Sequence, residues 1–190
     1  MSGEYTPVSG NVLTAANWNS YVRPQVITIA TSAPSASLSE GRHWYDTTNH
    51  IMKVYGSDGA WVCVTPQTAN VPTSQSTAST SYTDLATTGP AVTIATGTTA
   101  LVTISALMYA NTAPNDIFMT FAVSGATTIA ASSNEAYRIS TAAATGACYS
   151  RTYKFTGLTA GNNTFTCKYK IAGGANGNFQ DRDITVVGLP

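Results

Sequence analysis

The sequence predicts a mainly β chain: a jelly-roll-like antiparallel β-sandwich preceded by a short helix and a small β-meander. Three observations carry that reading. From Ser81 onward, strand and turn signals alternate at short spacing, giving about eight strands and no helix. Within that stretch NTFTCKYKI sets Phe165, Cys167, Tyr169 and Ile171 on one face and Thr164, Thr166, Lys168 and Lys170 on the other, the period of a strand with one wet side. Ahead of it, GRHWYDTTNHIMKVYGSDGAWV separates three short apolar runs with the turn formers DTTN and GSDG.

The elements follow in chain order. In VLTAANWNSYVRP, Thr14 stands as a helix cap, Leu13 and Trp18 as a hydrophobic staple, and Pro24 as the stop. Trp18 and Val22, one turn apart, share a face. A helix this short is marginal alone in water, so that face must dock on something. A strand is expected at Val26 to Ile29, followed by a Ser/Ala/Pro connection. The meander comes next, with strands at Trp44 and Tyr45, Ile51 to Tyr55, and Trp61 to Val64. Three strands of that size bury little by themselves, so the large rings are expected to plug a small module. Residues 66–80 contain Pro66 and Pro72, no charge and almost no bulky side chain, and read as a linker. The expected layout is therefore an anchoring module over 1–65, a linker over 66–80 and a sandwich over 81–190.

Sandwich strands are expected near Tyr82 to Ala86, Ala91 to Ala95, Ala100 to Tyr109, Ile117 to Val123, Ala136 to Ser140, Ala147 to Phe155, Thr164 to Ile171 and Arg182 to Val187. The run TALVTISALMYA differs from its neighbours. Leu101, Thr103, Ser105 and Leu107 share one face, Val102, Ile104, Ala106 and Met108 the other, and neither carries a charge. Such a strand is expected to be covered on both sides. The second cover would be another subunit, with Leu101, Val102, Ile104 and Met108 as the expected contact, in an isologous dimer or a three-fold ring.

Composition points the same way. Charged residues make up 9% of the 190-residue chain, against about 25% in an ordinary soluble domain. A near-neutral chain this poor in charge is expected to hide surface against other proteins. Nine basic and nine acidic residues give a net charge of zero, so no electrostatic footprint exists for nucleic acid. No run reaches the length of a membrane span, and MSGEYTPVSG lacks the basic and apolar regions of a signal peptide. Cys63, Cys148 and Cys167 have no CxxC spacing and are expected as free thiols in a cytoplasmic setting.

Candidate chemistry is thin. His43 and His50 with Asp46 and Asp58 form the one metal-like grouping, but they sit on turns without ligand spacing and read as exposed hairpin residues. Asp181 and Asp183 alternate around Arg182, which would place both carboxylates on one side of a strand. Ion pairing with Arg138, Arg151 or Lys154 is the better expectation than calcium binding or glycoside hydrolysis. No G-x-S-x-G elbow or phosphate loop occurs, and GGANGN reads as a hairpin loop. No cofactor and no catalytic apparatus are expected. Tyr137, Tyr149 and Tyr153 are expected in core or interface. The loops Ala142 to Ala147 and Gly173 to Asn178 are the candidates for contact with a host-surface glycan.

Two stretches resemble a known class of protein. The pattern Gly41, Trp44-Tyr45-Asp46-Thr47-Thr48, Lys53-Val54-Tyr55 and Ala60-Trp61-Val62, preceded by LTAANWNSYVRPQV, is similar to short modules of virion proteins in tailed bacteriophages. TSYTDLATTGPAVTIATGTTALVTISA, FAVSGATTIAAS and GLTAGNNTFTCKYKI, with the closing RDITVVGL, resemble a β-sandwich of the same class. The resemblance implies a non-enzymatic structural or adhesive protein on the virion, commonly homotrimeric, anchored by its N-terminal part to capsid or tail proteins. Leu13, Trp18, Val22, Trp44, Tyr45 and Trp61 would then supply the attachment contacts. No long shaft repeat is present, which favours a compact head fibre, decoration or minor tail protein over a long tail fibre. The alternative implied is a glycan-binding adhesin at a tail tip.

Overall fold

The computed structural model describes residues 14–17, 27–111, 115–141, 146–173 and 176–190. Leu13, Trp18, Val22 and, in the two loops nominated for glycan contact, residues 142–145 and 174–175 lie outside the described residues. Of the expected helix, Ala15–Asn17 (α1) is described.

Strands β1 (Thr28–Ala30), β2 (His43–Asp46), β3 (Ile51–Tyr55) and β4 (Trp61–Cys63) form one sheet in the order β1-β2-β3-β4. β1 runs parallel to β2, while β2, β3 and β4 are the antiparallel meander. The turns close as their residue types dictate. The Asp46 carboxylate accepts the backbone N–H groups of Thr48 (3.0 Å) and Asn49 (3.3 Å) and the Asn49 side-chain amide (2.9 Å). In GSDG, Asp58 accepts from the Ala60 N–H, and Gly59 takes a φ of 78°, open to glycine at no steric cost.

The remaining strands are β5 (Gln67–Val71), β6 (Gln75–Thr77), β7 (Ala91–Thr96), β8 (Thr99–Ala110), β9 (Asn115–Gly125), β10 (Tyr137–Thr141), β11 (Ala147–Thr156), β12 (Gly161–Ile171) and β13 (Gly177–Leu189). They make two sheets, β10-β9-β12-β7 and β11-β8-β13-β5, with β6 beside β13. The pairs β5–β13, β7–β12, β8–β11 and β9–β10 are all antiparallel and wrap around one core. That is the jelly roll the strand spacing predicts. The alternation in NTFTCKYKI holds: Phe165, Cys167, Tyr169 and Ile171 are buried between the sheets and both lysines lie outside. Phe121, Phe155 and Phe165 meet edge to face or tilted, and Tyr169 packs on Phe179 at 4.7 Å.

Residues 66–80 are not a free connection. They supply β5, paired to β13 from Arg182↔Val71 to Val186↔Gln67, and β6, paired to the start of β13. An edge strand needs little apolar surface: Gln67, Ala69 and Val71 are half-buried, and Thr68 and Asn70 face water. Its flanking prolines are tolerated because they sit outside the ladder. Conversely, Tyr82 to Ala86 is no ladder strand. It contributes one bridge, Thr83↔Tyr169, along the edge of β12.

The meander is docked on the jelly roll. Val62 lies so close to Gly188 of β13 that a Cβ there would stand 2.6 Å from Val62 Cγ1 and 2.8 Å from the Cys63 carbonyl oxygen. Cys63 belongs to the jelly-roll core cluster, and Ile51 packs against it. The seam thus works because position 188 has no side chain.

Candidate functional site

β8 settles which of its two uncharged faces points inward. Val102, Ile104, Ala106 and Met108 are fully buried in the chain's own core, so Val102, Ile104 and Met108 cannot meet another subunit. This corrects the expected contact set, of which Leu101 remains, 37% exposed. The outer face groups Leu101, Thr103, Ser105 and Leu107, as the alternation predicts.

Cross-strand register extends that face. Leu101 stands between Lys154 of β11 and Val187 of β13, and Leu107 between Cys148 and Gln180. Between these apolar ends runs a band of hydroxyls, in which Thr103 and Thr152 share a 2.8 Å hydrogen bond and Thr185 lies opposite Thr103. Asp183 accepts from the Asn70 side chain at 2.7 Å and from Ser105 Oγ at 3.4 Å. On this face stand the charged residues Lys154 and Asp183, with the exposed Asp181 at the bulge of β13, and no layer of the described chain covers it.

The module aromatics pack with one another. Trp44 is 4% exposed and meets Trp61 edge-on at 5.5 Å, while Trp61 meets Tyr55 at 5.2 Å. The Trp44 indole N–H donates to the Ala30 carbonyl (3.1 Å), tying β1 to β2, and Lys53 lies over the Trp44 ring at 4.4 Å. Trp44 is therefore internal packing and has no face to offer a partner; Tyr45 and Trp61 are half-buried. What the module does expose is Ile27 (46%), Ile29 (71%) and Leu38. The Asn49 amide, helped by the backbone turn and Lys53, holds the Asp46 carboxyl below the usual carboxylate range against the opposing effect of burial.

The other nominated groups stay apart. His43 and His50 are exposed on the meander, and no three metal-ligating side chains converge among the described residues. Asp181 and Asp183 do not flank Arg182 on a regular strand. A bulge lies between Gln180 and Asp183, Asp181 sits at a φ of 49°, and Arg182 is turned into the core with no exposure. The guanidinium donates to the carbonyls of Thr87, Gly89 and Thr73 at 3.4–3.5 Å and to Gln75 Oε1 at 2.9 Å, and it stacks near Tyr169. The expected ion pairs of Asp181 and Asp183 do not form among the described residues; Arg138 pairs with Asp116 instead. A bulge in a five-residue window leaves no mark in hydrophobic periodicity, which is why sequence reasoning missed it.

Tyr137 is buried, with burial pushing its phenol far up, Tyr153 packs on Phe155 and Arg151, and Tyr149 is exposed. The three cysteines are free thiols; Cys148 and Cys167 lie in different sheets. No described helix is long and apolar enough to cross a membrane.

No family model and no curated protein matches the sequence. Among solved structures, the chain is similar to the Eiger TNF of S. frugiperda at 11% identity and a TM-score of 0.44, over 66% of this chain and 93% of that one. It is also similar to the Gx strain of infectious bursal disease virus, at 10% identity and a TM-score of 0.45, over 82% of this chain and 38% of that one. A subviral particle of VP2 from the same virus gives 9% identity and a TM-score of 0.42, over 82% of this chain and 37% of that one. The chain thus spans well under half the length of the viral chains it matches.

Proposed function

We propose that this chain is a non-enzymatic structural protein of a bacteriophage virion, a compact oligomeric accessory such as a head fibre, capsid decoration or minor tail protein. Its jelly roll packs against further copies through the outer face of β11-β8-β13-β5, in a trimer by preference. The observation that carries the reading is β8: one face is core, the other presents Leu101 and Leu107 beside Val187 without a cover in the described chain. A chain with so few charges gains solubility by turning such a face toward copies of itself. The module patterns that resemble phage virion proteins support the location, and the exposed Ile29 on the edge strand β1, with Ile27 just before it, is the surface we assign to particle attachment.

Two measurements test this. The solution mass of the purified chain should be a multiple of the monomer mass, and a monomer at micromolar concentration refutes the oligomer. Particles assembled with Ile27→Lys and Ile29→Lys together should lack the protein while its solution mass is unchanged. Normal incorporation refutes the attachment surface.

A further inference from the structure

The outer face of the other sheet, β10-β9-β12-β7, carries a groove of about 470 Å³ lined by residues far apart in sequence. Its floor is Ala122 of β9 with Lys168 and Lys170 of β12; its walls are Thr80, Ser81 and Tyr82 on one side and Ala130 and Ala131 on the other. The size lies within the ~300–1,000 Å³ of ligand pockets. Small side chains on floor and wall make the depth. The walls are tied across one end, where Tyr82 Oη and Lys170 Nζ both reach Ser133 Oγ at 3.0 Å.

The two ammonium groups are not equivalent. Lys168 is neutralised by Asp84, with Nζ 2.7 and 2.8 Å from the carboxylate oxygens. Lys170 has no carboxylate partner among the described residues. Its Nζ lies over the rings of Tyr82 (4.5 Å) and Phe118 (4.8 Å) and spends one N–H on Ser133. Glu135 acts on the Tyr82 phenol, so an acid stands near the tied end of the groove and not on its floor. The hydroxyls of Thr80 and Ser81 on the wall suit a ligand rich in polar groups, and the Lys170 ammonium, which pairs with no carboxylate among the described residues, suits an anion.

From this geometry we infer that the groove binds a saccharide bearing a carboxylate. The carboxylate meets Lys170, and the sugar hydroxyls meet Thr80, Ser81 and the floor. None of the groove's lining residues belongs to the segments 142–147 or 173–178. It lies on the sheet opposite the face assigned to subunit contact, so it stays open in the assembly, and its failure would leave the oligomer reading standing.

The test is titration of the full chain with sialyllactose, digalacturonate and neutral lactose, followed by calorimetry or saturation-transfer NMR. At least one acidic sugar should bind, with lactose about tenfold weaker or worse. Lys170→Gln removes the charge, and Ala122→Phe fills the floor without touching it. Each should weaken binding about tenfold while the melting curve stays in place. The inference is overturned if neither acidic sugar binds at millimolar concentration, if lactose binds as well, or if Ala122→Phe binds like the parent chain.

Discussion

Leu101→Asp separates the fold of this chain from its association. Within one chain the change is mild. Leu101 is 37% exposed and points away from the core, and Lys154 stands directly opposite it on β11. A carboxylate there gains a cross-strand partner worth about 0.2–1 kcal/mol, which offsets the contact the leucine loses. Between copies the change is severe. Covering the remaining third of the leucine contributes roughly 0.5–1 kcal/mol, taken from the ~1.5–3 kcal/mol for burying a whole leucine. Desolvating the new carboxylate, even beside Lys154, costs about 2 kcal/mol more. The sum is about 3 kcal/mol per interface, on the order of a hundredfold in dissociation constant. Light scattering across a concentration series reads it: the variant should run as a monomer where the parent chain is an oligomer, with the urea midpoint of the isolated monomer unmoved. A variant that keeps the parent mass refutes the assignment of this face.

The remaining expectations concern the seam, the turn and the thiols. Gly188→Ala should destabilise the chain by about 1–3 kcal/mol, because the added methyl meets Val62 and two backbone carbonyls that have nowhere to move; an unshifted urea midpoint would contradict the docking. Asp46 has a folded-state pKa below its unfolded value of about 3.9, so its contribution is complete above about pH 4 and is lost as pH falls through the lower folded value. Acid titration followed by tryptophan fluorescence should therefore show a meander transition that Asp46→Asn removes, and coincident curves would sink the argument. Cys148, exposed on the outer face of β11, should react with a thiol reagent at once in monomeric Leu101→Asp and slowly in the oligomer. Cys63 and Cys167, whose thiols burial pushes up, should react in neither until unfolding. Equal rates at Cys148 in the two forms would place the contact elsewhere.

What could be read from the residues followed from how much apolar surface each element needed. β8, β9 and β12 run long and alternate, and their spans match expectation to within a few residues at each end. β5 escaped because an edge strand of Gln, Thr, Ala, Asn and Val looks like connection until its partner is known. β8 showed two faces but not which was inner, since both lack charge and only the opposing sheet decides. Arg182 lies inside in step with Ile184 and Val186, an alternation its residue type disguises, since an arginine is seldom found on a core face. The groove was out of reach for a simpler reason: its lining comes from four separated segments that only the folded sheet brings together.

The wrapped pairing also sets a timetable. β13 lies between β8 and β5 as an inner strand of its sheet, and it carries the arginine that holds the carbonyls of Thr73, Thr87 and Gly89. While a ribosome is still making β13, β5 has no neighbour and β8 has lost one of its two. Until β13 arrives, one edge of β8 has no partner for its backbone groups, and non-local closure of this kind is slow, on the scale of milliseconds to seconds. In the proposed setting, particles would receive finished subunits and never half-made ones.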